Sequence, residues 1–393
     1  MKSFTLSKTA VDLQPSGIRK FFDLASGMKG VVSLGVGEPD FVTAWHVREA
    51  CIRSLEEGFT AYTANAGLLE LRQEVSRYLK KQFDVSYDET QIIITIGASQ
   101  ALDAALRTII NPGDEVIVVE PCFVSYAPTV SLAGGVPVTI STLAENNFKL
   151  QPEELEEAIT TKTKAMILCS PNNPTGTVLS REELEGIAEV VDKYNLIVLA
   201  DEIYGELVYD EPYTSFAAIR NMYENTILIN GFSKGFAMTG WRLGIVAAPK
   251  NFIEPMLKIH QYTIMCAPTM SQHAALEALR HGESDVLEMR KSYRQRRNFI
   301  TKSFNEMGLS CHLPGGAFYA FPSIKSTGLT SEEFAEQLLV EEKVAVVPGS
   351  VFGESGEGYV RCSYATSMEQ LLEAVSRMKK FLQKKDKTIN VLS

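Results

Sequence analysis

The chain predicts an α/β fold, with a large unit on a mostly parallel, doubly wound sheet followed by a smaller α+β unit. Three observations predict it. Six short apolar runs recur between residues 91 and 249, helical patterns lie between several of them, and the pattern changes near residue 283. The runs are QIIITIG (91–97), EVIVVE (115–120), KAMILCS (164–170), LIVLADE (196–202), TILING (226–231) and LGIVAAP (243–249). They are continuous and bounded by Gly, Pro, Asn or Asp, as strands buried on both faces are. REELEGIAEVVDKY (181–194) places apolar residues at helical spacing, and Ser180 with Glu183 makes a capping-box pattern before it. Such alternation puts helices on both faces of a sheet.

The tail reads differently. A polar helix rich in Arg and Glu is expected over 283–307. Strand-like GGAFYAFPSI, VAVVPGS and YVRCSYA follow, with a helix over 331–342. The terminal KKFLQKKDK reads as the fraying end of a helix.

A length of 393 residues suits two units with ample core, and 45% hydrophobic with 22% charged residues is ordinary for a soluble globular protein. The formal net charge of −10 leaves no basic footprint, which argues against a nucleic-acid partner. The start lacks an apolar core, and no run approaches the ~18 apolar residues of a membrane span, so neither secretion nor a membrane is expected. The cysteines at 51, 122, 169, 266, 311 and 362 form no C-x-x-C pair, and the histidines show no ligand spacing. Reduced buried thiols in a cytoplasmic protein without a metal site are therefore expected.

The chemistry concentrates in GFSKGFAMTGWRLG (231–244), which joins two strand-like runs. A lone lysine in a loop is more often solvated than functional. Here Ser233 precedes Lys234, and Arg242 follows eight residues on. A hydroxyl, a cation and nearby backbone suit a phosphate. No G-K-[ST] closes the loop, and GVGEPD (35–40) is a poor dinucleotide fingerprint.

This segment resembles the lysine motif of the class I/II aminotransferases, the fold-type I pyridoxal-phosphate (PLP) enzymes. Seven further family motifs stand in the same order: LGVGEPDF (34–41), YTANAGLLELR (62–72), GASQAL (97–102), PCFVSY (121–126), SPNNPTG (170–176), DEIYGEL (201–207) and YVRCSYA (359–365). The order is similar to the bacterial subgroup of aspartate, alanine, aromatic and N-acetyl-diaminopimelate aminotransferases. The resemblance implies an N-terminal arm (1–44) packing on the small domain, a large PLP-binding domain (45–282) and a small domain (283–393).

It also implies roles. Lys234 takes the cofactor's aldehyde and afterwards shuttles a proton, for which it must be neutral; the cofactor's cationic ring and Arg242 would lower its pKa. Asp201 pairs with the pyridine nitrogen, and Tyr204 and Asn173 meet the phenolic oxygen. Phe123 stacks on the ring, where many relatives carry Tyr or Trp. Backbone N–H groups of Ala98 and Ser99, with Ser233 and Arg242, hold the phosphate. Tyr62 reaches the phosphate of the other subunit's cofactor, so a homodimer with shared sites is implied. Gly231 stands where the family has a further serine. Arg361 grips the substrate α-carboxylate, joined by Asn173 and by backbone at Gly35.

The expected substrates are an amino acid and a 2-oxo acid. Ser99 stands where one aspartate-specific subgroup has lysine, and YTIMCAPTM (262–270) is uncharged. That favours a neutral donor, alanine or an aromatic amino acid, with glutamate/2-oxoglutarate as second pair and Arg19 or another arginine serving it. The alternatives are aspartate or N-acetyl-diaminopimelate transamination, a carbon–sulfur lyase, and a non-catalytic effector-binding protein. The last would carry a DNA-binding domain in front, for which the resemblance, starting by residue 15, leaves no room.

Overall fold

A computed structural model describes residues 4–15, 17–18 and 27–392, with side chains described as far as 385. Strand β1 (Val32–Ser33) comes first. The central sheet then takes β2 (Ile92–Thr95), β3 (Glu115–Glu120), β4 (Val136–Ser141), β5 (Thr163–Cys169), β6 (Ile197–Asp201), β7 (Thr226–Gly231) and β8 (Gly244–Ala247). Its order is β2-β8-β7-β6-β5-β3-β4, and β8 alone runs against its neighbours. The six apolar runs each become a strand. The seventh strand, β4, was not read from sequence: it lies at the sheet edge, buries only Ile140 fully and contains Pro137.

Residues alternate between two cores along each central strand. In β6, Val198 and Ala200 join the cluster under the helix Arg181–Tyr194, whereas Leu199 joins the one under Gly97–Ile109. Both faces are thus covered by helices, which explains the unbroken apolar runs. The helix Arg181–Tyr194 starts where its capping box predicts: Glu183 N donates to Ser180 Oγ at 3.3 Å and Ser180 N to Glu183 Oε2 at 2.7 Å.

Beyond the sheet lie the helix Glu283–Glu306 and β9 (Tyr319–Ala320), then the helix Ser331–Glu342, β10 (Val344–Ala345), β11 (Val347–Pro348), β12 (Val360–Ser363) and the helix Met368–Leu392. Strands β11, β12 and β9 form an antiparallel sheet, and β1 pairs in parallel with β10. A third core joins these elements to Tyr204 and Leu207 of the segment after β6. That packing brings β12 over the C-terminal ends of β5, β6 and β7, where open α/β sheets bind ligands.

Candidate active site

A cavity of about 600 Å³ opens at those strand ends, lined among others by Ala98, Ser99, Phe123, Asn173, Asp201, Tyr204, Ser233, Lys234, Arg242 and Arg361. Ten of the twelve residues expected from sequence therefore share one space.

Asp201 closes β6. Its Oδ2 accepts from Tyr126 Oη at 2.7 Å and its Oδ1 from Ile203 N at 3.3 Å. Burial pushes the carboxyl up from its ordinary value, and these hydrogen bonds with nearby Lys234 pull it back. Lys234 follows the end of β7, and its Nζ donates to the Gly37 carbonyl at 2.7 Å. Burial first, then the Arg361 charge, with a smaller push from Arg242, bring its amine down to about 8; Glu38 and Asp201 oppose them. The sequence pointed to the cofactor's ring and Arg242 for this effect; Arg242 does contribute, but desolvation and Arg361 outweigh it.

At one end, the helix Gly97–Ile109 starts directly behind β2, and its first turn faces the cavity through Ala98 and Ser99. Free N–H groups at a helix start attract an anion. Arg242 lies against this turn: a Cβ added at Gly97 would sit 2.5 Å from its Nη2. Its Nη1 donates to Thr239 O at 3.1 Å. With Ser233 alongside, the set suits a phosphate dianion.

On the opposite wall, Arg361 of β12 is buried. Nη1 donates to Asn173 Oδ1 at 2.9 Å and Nη2 to Gly35 O at 2.7 Å. Its guanidinium lies 4.5 Å from the Tyr319 ring centre. The buried Nε has no partner among the described residues, so this planar cation keeps one unsatisfied donor.

Two expected residues stand elsewhere. Gly35 touches Arg361 only through its carbonyl, and Val36 and Gly37 form the cavity wall instead. At Gly37 a Cβ would lie 3.0 Å from Tyr319 Oη and 3.6 Å from Arg361 Nη2, so the close backbone approach expected at Gly35 falls there. Tyr62 is 81% exposed and does not line the cavity. Arg19 lies outside the described residues. At Gly231 a Cβ would meet Leu243 O at 2.9 Å, so pairing with β8 restricts this position to glycine unless the strands shift.

The sequence missed Tyr126 and Tyr319, both buried. Tyr126 fixes Asp201, and Tyr319 Oη lies 3.0 Å from Tyr204 Oη. Tyr126 ends the motif PCFVSY and Tyr319 lies in the strand-like run GGAFYAFPSI, but nothing in their spacing distinguishes them from core tyrosines.

Comparison with known proteins agrees with this geometry. The family described as "Aminotransferase class I and II" matches residues 29–378. "Putative aminotransferase YugH" of Bacillus subtilis (strain 168) is 65% identical over 96% of this chain and 98% of its own. An aspartate aminotransferase of Pyrococcus abyssi is 51% identical over 96% of this chain and 98% of its own. The crystal structure of an aromatic aminotransferase from Pyrococcus horikoshii OT3 superposes with a TM-score of 0.89 at 48% identity, covering 94% of this chain and 99% of that one. With the motif set, the fold and these relatives in agreement, the chain belongs to the class I and II aminotransferases, a family of pyridoxal-phosphate-dependent enzymes.

Proposed function

We propose that this aminotransferase carries PLP on Lys234 and passes the amino group of a neutral L-amino acid, alanine or an aromatic one, to 2-oxoglutarate in a ping-pong cycle. It would work as a cytoplasmic homodimer. Residues 45–282 would hold the cofactor, 283–393 would bring Arg361, and 1–44 would form the arm between them. The observation that carries this reading is the set of groups around one cavity: an anion cradle at Gly97–Ile109, an amine lowered to about 8, and a buried carboxylate. These match the phosphate, aldehyde and basic ring nitrogen of PLP.

When bound, the cofactor supplies an aldehyde carbon that carries the amino group and a ring that withdraws electrons from the substrate Cα. The chain does the rest. Asp201, oriented by Tyr126, holds a proton on the ring nitrogen by its charge. Tyr204, supported by Tyr319, would donate to the phenolic oxygen, and Asn173 would meet the same oxygen. Phe123 covers the ring face. Lys234 would hold the cofactor's aldehyde and, once freed by the substrate and in its neutral form, would serve as the base for the Cα proton and carry it toward the cofactor's carbonyl carbon. Arg361, with Asn173 at its side, grips the α-carboxylate and fixes which Cα bond faces Lys234.

The donor preference rests on the remaining wall. Ile18, Val36, Leu102 and Tyr319 are uncharged, and among the described lining residues the cations are Lys234, Arg242 and Arg361. Each of those three has a task, so none of these described cations is left for a distal carboxylate of the donor; the second carboxylate of 2-oxoglutarate would be served by Arg19 or another arginine. An absorbance spectrum of the purified protein with PLP tests both parts. A band near the visible–ultraviolet border should bleach with alanine or phenylalanine and return with 2-oxoglutarate. Bleaching by aspartate alone would overturn the neutral-donor assignment. Pyruvate and ammonia from cystathionine would reveal a lyase, and no band would overturn the cofactor assignment.

A further inference from the structure

The segment after Arg361's partner Gly35 is laced onto the lysine loop. Lys234 Nζ donates to Gly37 O at 2.7 Å, and Thr239 Oγ1 donates to Glu38 Oε2 at 2.9 Å. The third tie is Thr43, which is buried. Its hydroxyl donates to the Ala237 carbonyl at 2.6 Å and accepts from Trp241 Nε1 at 3.0 Å. One side chain thus uses both roles of its hydroxyl to join two points of the turn between Lys234 and Arg242.

That turn requires outside support. Ala237 and Arg242 both adopt left-handed backbone, with φ of 52° and 54°. Each costs a non-glycine residue roughly 1 kcal/mol or more. The turn's own backbone bonds are long, with Ala237 N to Lys234 O at 3.4 Å and Trp241 N to Met238 O at 3.3 Å. The turn also ends on Arg242, whose Nη1 bonds Thr239 O inside it. A shift of the turn therefore moves the guanidinium away from the helix start at Gly97.

We infer that Thr43 is a positioning residue for the cofactor site: it locks the 237–241 turn and thereby aims Arg242 at the phosphate cradle and Lys234 at the reacting carbon. This rests on the cofactor assignment proposed above. Valine has nearly the same shape as threonine but leaves the Ala237 carbonyl and the Trp241 indole N–H without their partner. Serine keeps the hydroxyl.

The test measures PLP dissociation by fluorescence titration, then kcat and donor KM at saturating PLP. The wild type, Thr43→Val, Thr43→Ser and Trp241→Phe are compared with a control, Thr226→Val. Thr226 is buried, and its hydroxyl donates to Met222 O at 2.6 Å at the far end of β7. Thr43→Val should raise the PLP dissociation constant about tenfold, as loss of one buried hydrogen bond predicts, and should lower kcat several-fold with donor KM unchanged. Thr43→Ser should restore both. Trp241→Phe, which keeps an aromatic ring but loses the indole N–H that donates to Thr43, should move both in the same direction by less. Equal PLP affinity in Thr43→Val and Thr226→Val, or no rescue by serine, would overturn the inference. If Thr43→Val does not fold, unchanged affinity in Trp241→Phe overturns it instead. A wild type that binds no PLP would overturn the cofactor assignment itself, a separate outcome.

Discussion

Lys234 shows how burial sets reactivity. In the unfolded chain its amine has the ordinary value of 10.5, and in the fold burial and Arg361 bring it down to about 8. Between these values the unfolded chain binds more protons than the folded one, so stability of the cofactor-free protein rises with pH across that window. Below about 8 the cost of a buried ammonium is fully present. Replacing Lys234 with methionine should therefore stabilise the cofactor-free chain at pH 7, by an amount on the order of a few kcal/mol. The advantage should disappear near pH 10.5. Urea midpoints of both proteins at the two pH values measure it, and the methionine variant should have no turnover. A pH-independent difference would show that the amine is not held in this way. The lysine was legible because its motif surrounds it. The larger causes of its lowered pKa were not: burial exists only in the fold, and Arg361 stands 127 positions away in sequence, while Arg242, which the motif offered, is a smaller contributor.

At the scale of elements, sequence and structure agree where a pattern is local. The helix Arg181–Tyr194 stands where its spacing and capping box place it, and Ser331–Glu342 where its composition does. The direction of β8 was not legible, because composition does not tell parallel from antiparallel pairing, and β4 lacked the continuous run that marks a buried strand. The junction of β2 with the helix Gly97–Ile109 combines both situations. GASQAL announces a helix start, but only the fold shows Arg242 packed on it. Gly97 has φ of 73°, and a Cβ there would meet Arg242 Nη2 at 2.5 Å. Gly97→Ala should therefore strain the turn by about 1 kcal/mol and push the guanidinium off the cradle. PLP affinity should fall at least tenfold, measured by fluorescence titration, while the donor that bleaches the band stays the same. Unchanged affinity would mean that Arg242 does not hold the phosphate.

The whole assembly is the scale at which one chain says least, and Tyr62 is the residue that depends on it. Its ring is 81% exposed; Phe59, three residues before it, is exposed too, as are Tyr262 and Met265 of a second segment. Two bonds tie these segments together: Asn65 Nδ2 to Met265 O at 2.9 Å and Thr269 Oγ1 to Ala61 O at 2.7 Å. Clustered exposed aromatic and apolar side chains suit a contact with another chain, which supports the proposed homodimer. If Tyr62 serves the other subunit's phosphate, subunit mixing reveals it. Lys234→Ala chains have no working lysine but carry an intact Tyr62. Tyr62→Ala chains have the lysine but lack the phosphate contact. In a mixed dimer, the site built on the lysine-bearing chain receives Tyr62 from its partner and is complete. Dissociating and reassociating the two variants together should therefore raise PLP affinity and turnover per lysine-bearing chain above those of Tyr62→Ala alone. About half of the lysine-bearing chains should be rescued at equal mixing, as random pairing into a two-fold dimer requires. No gain on mixing, with mixed dimers confirmed by mass, would place Tyr62 at its own chain's site or at none.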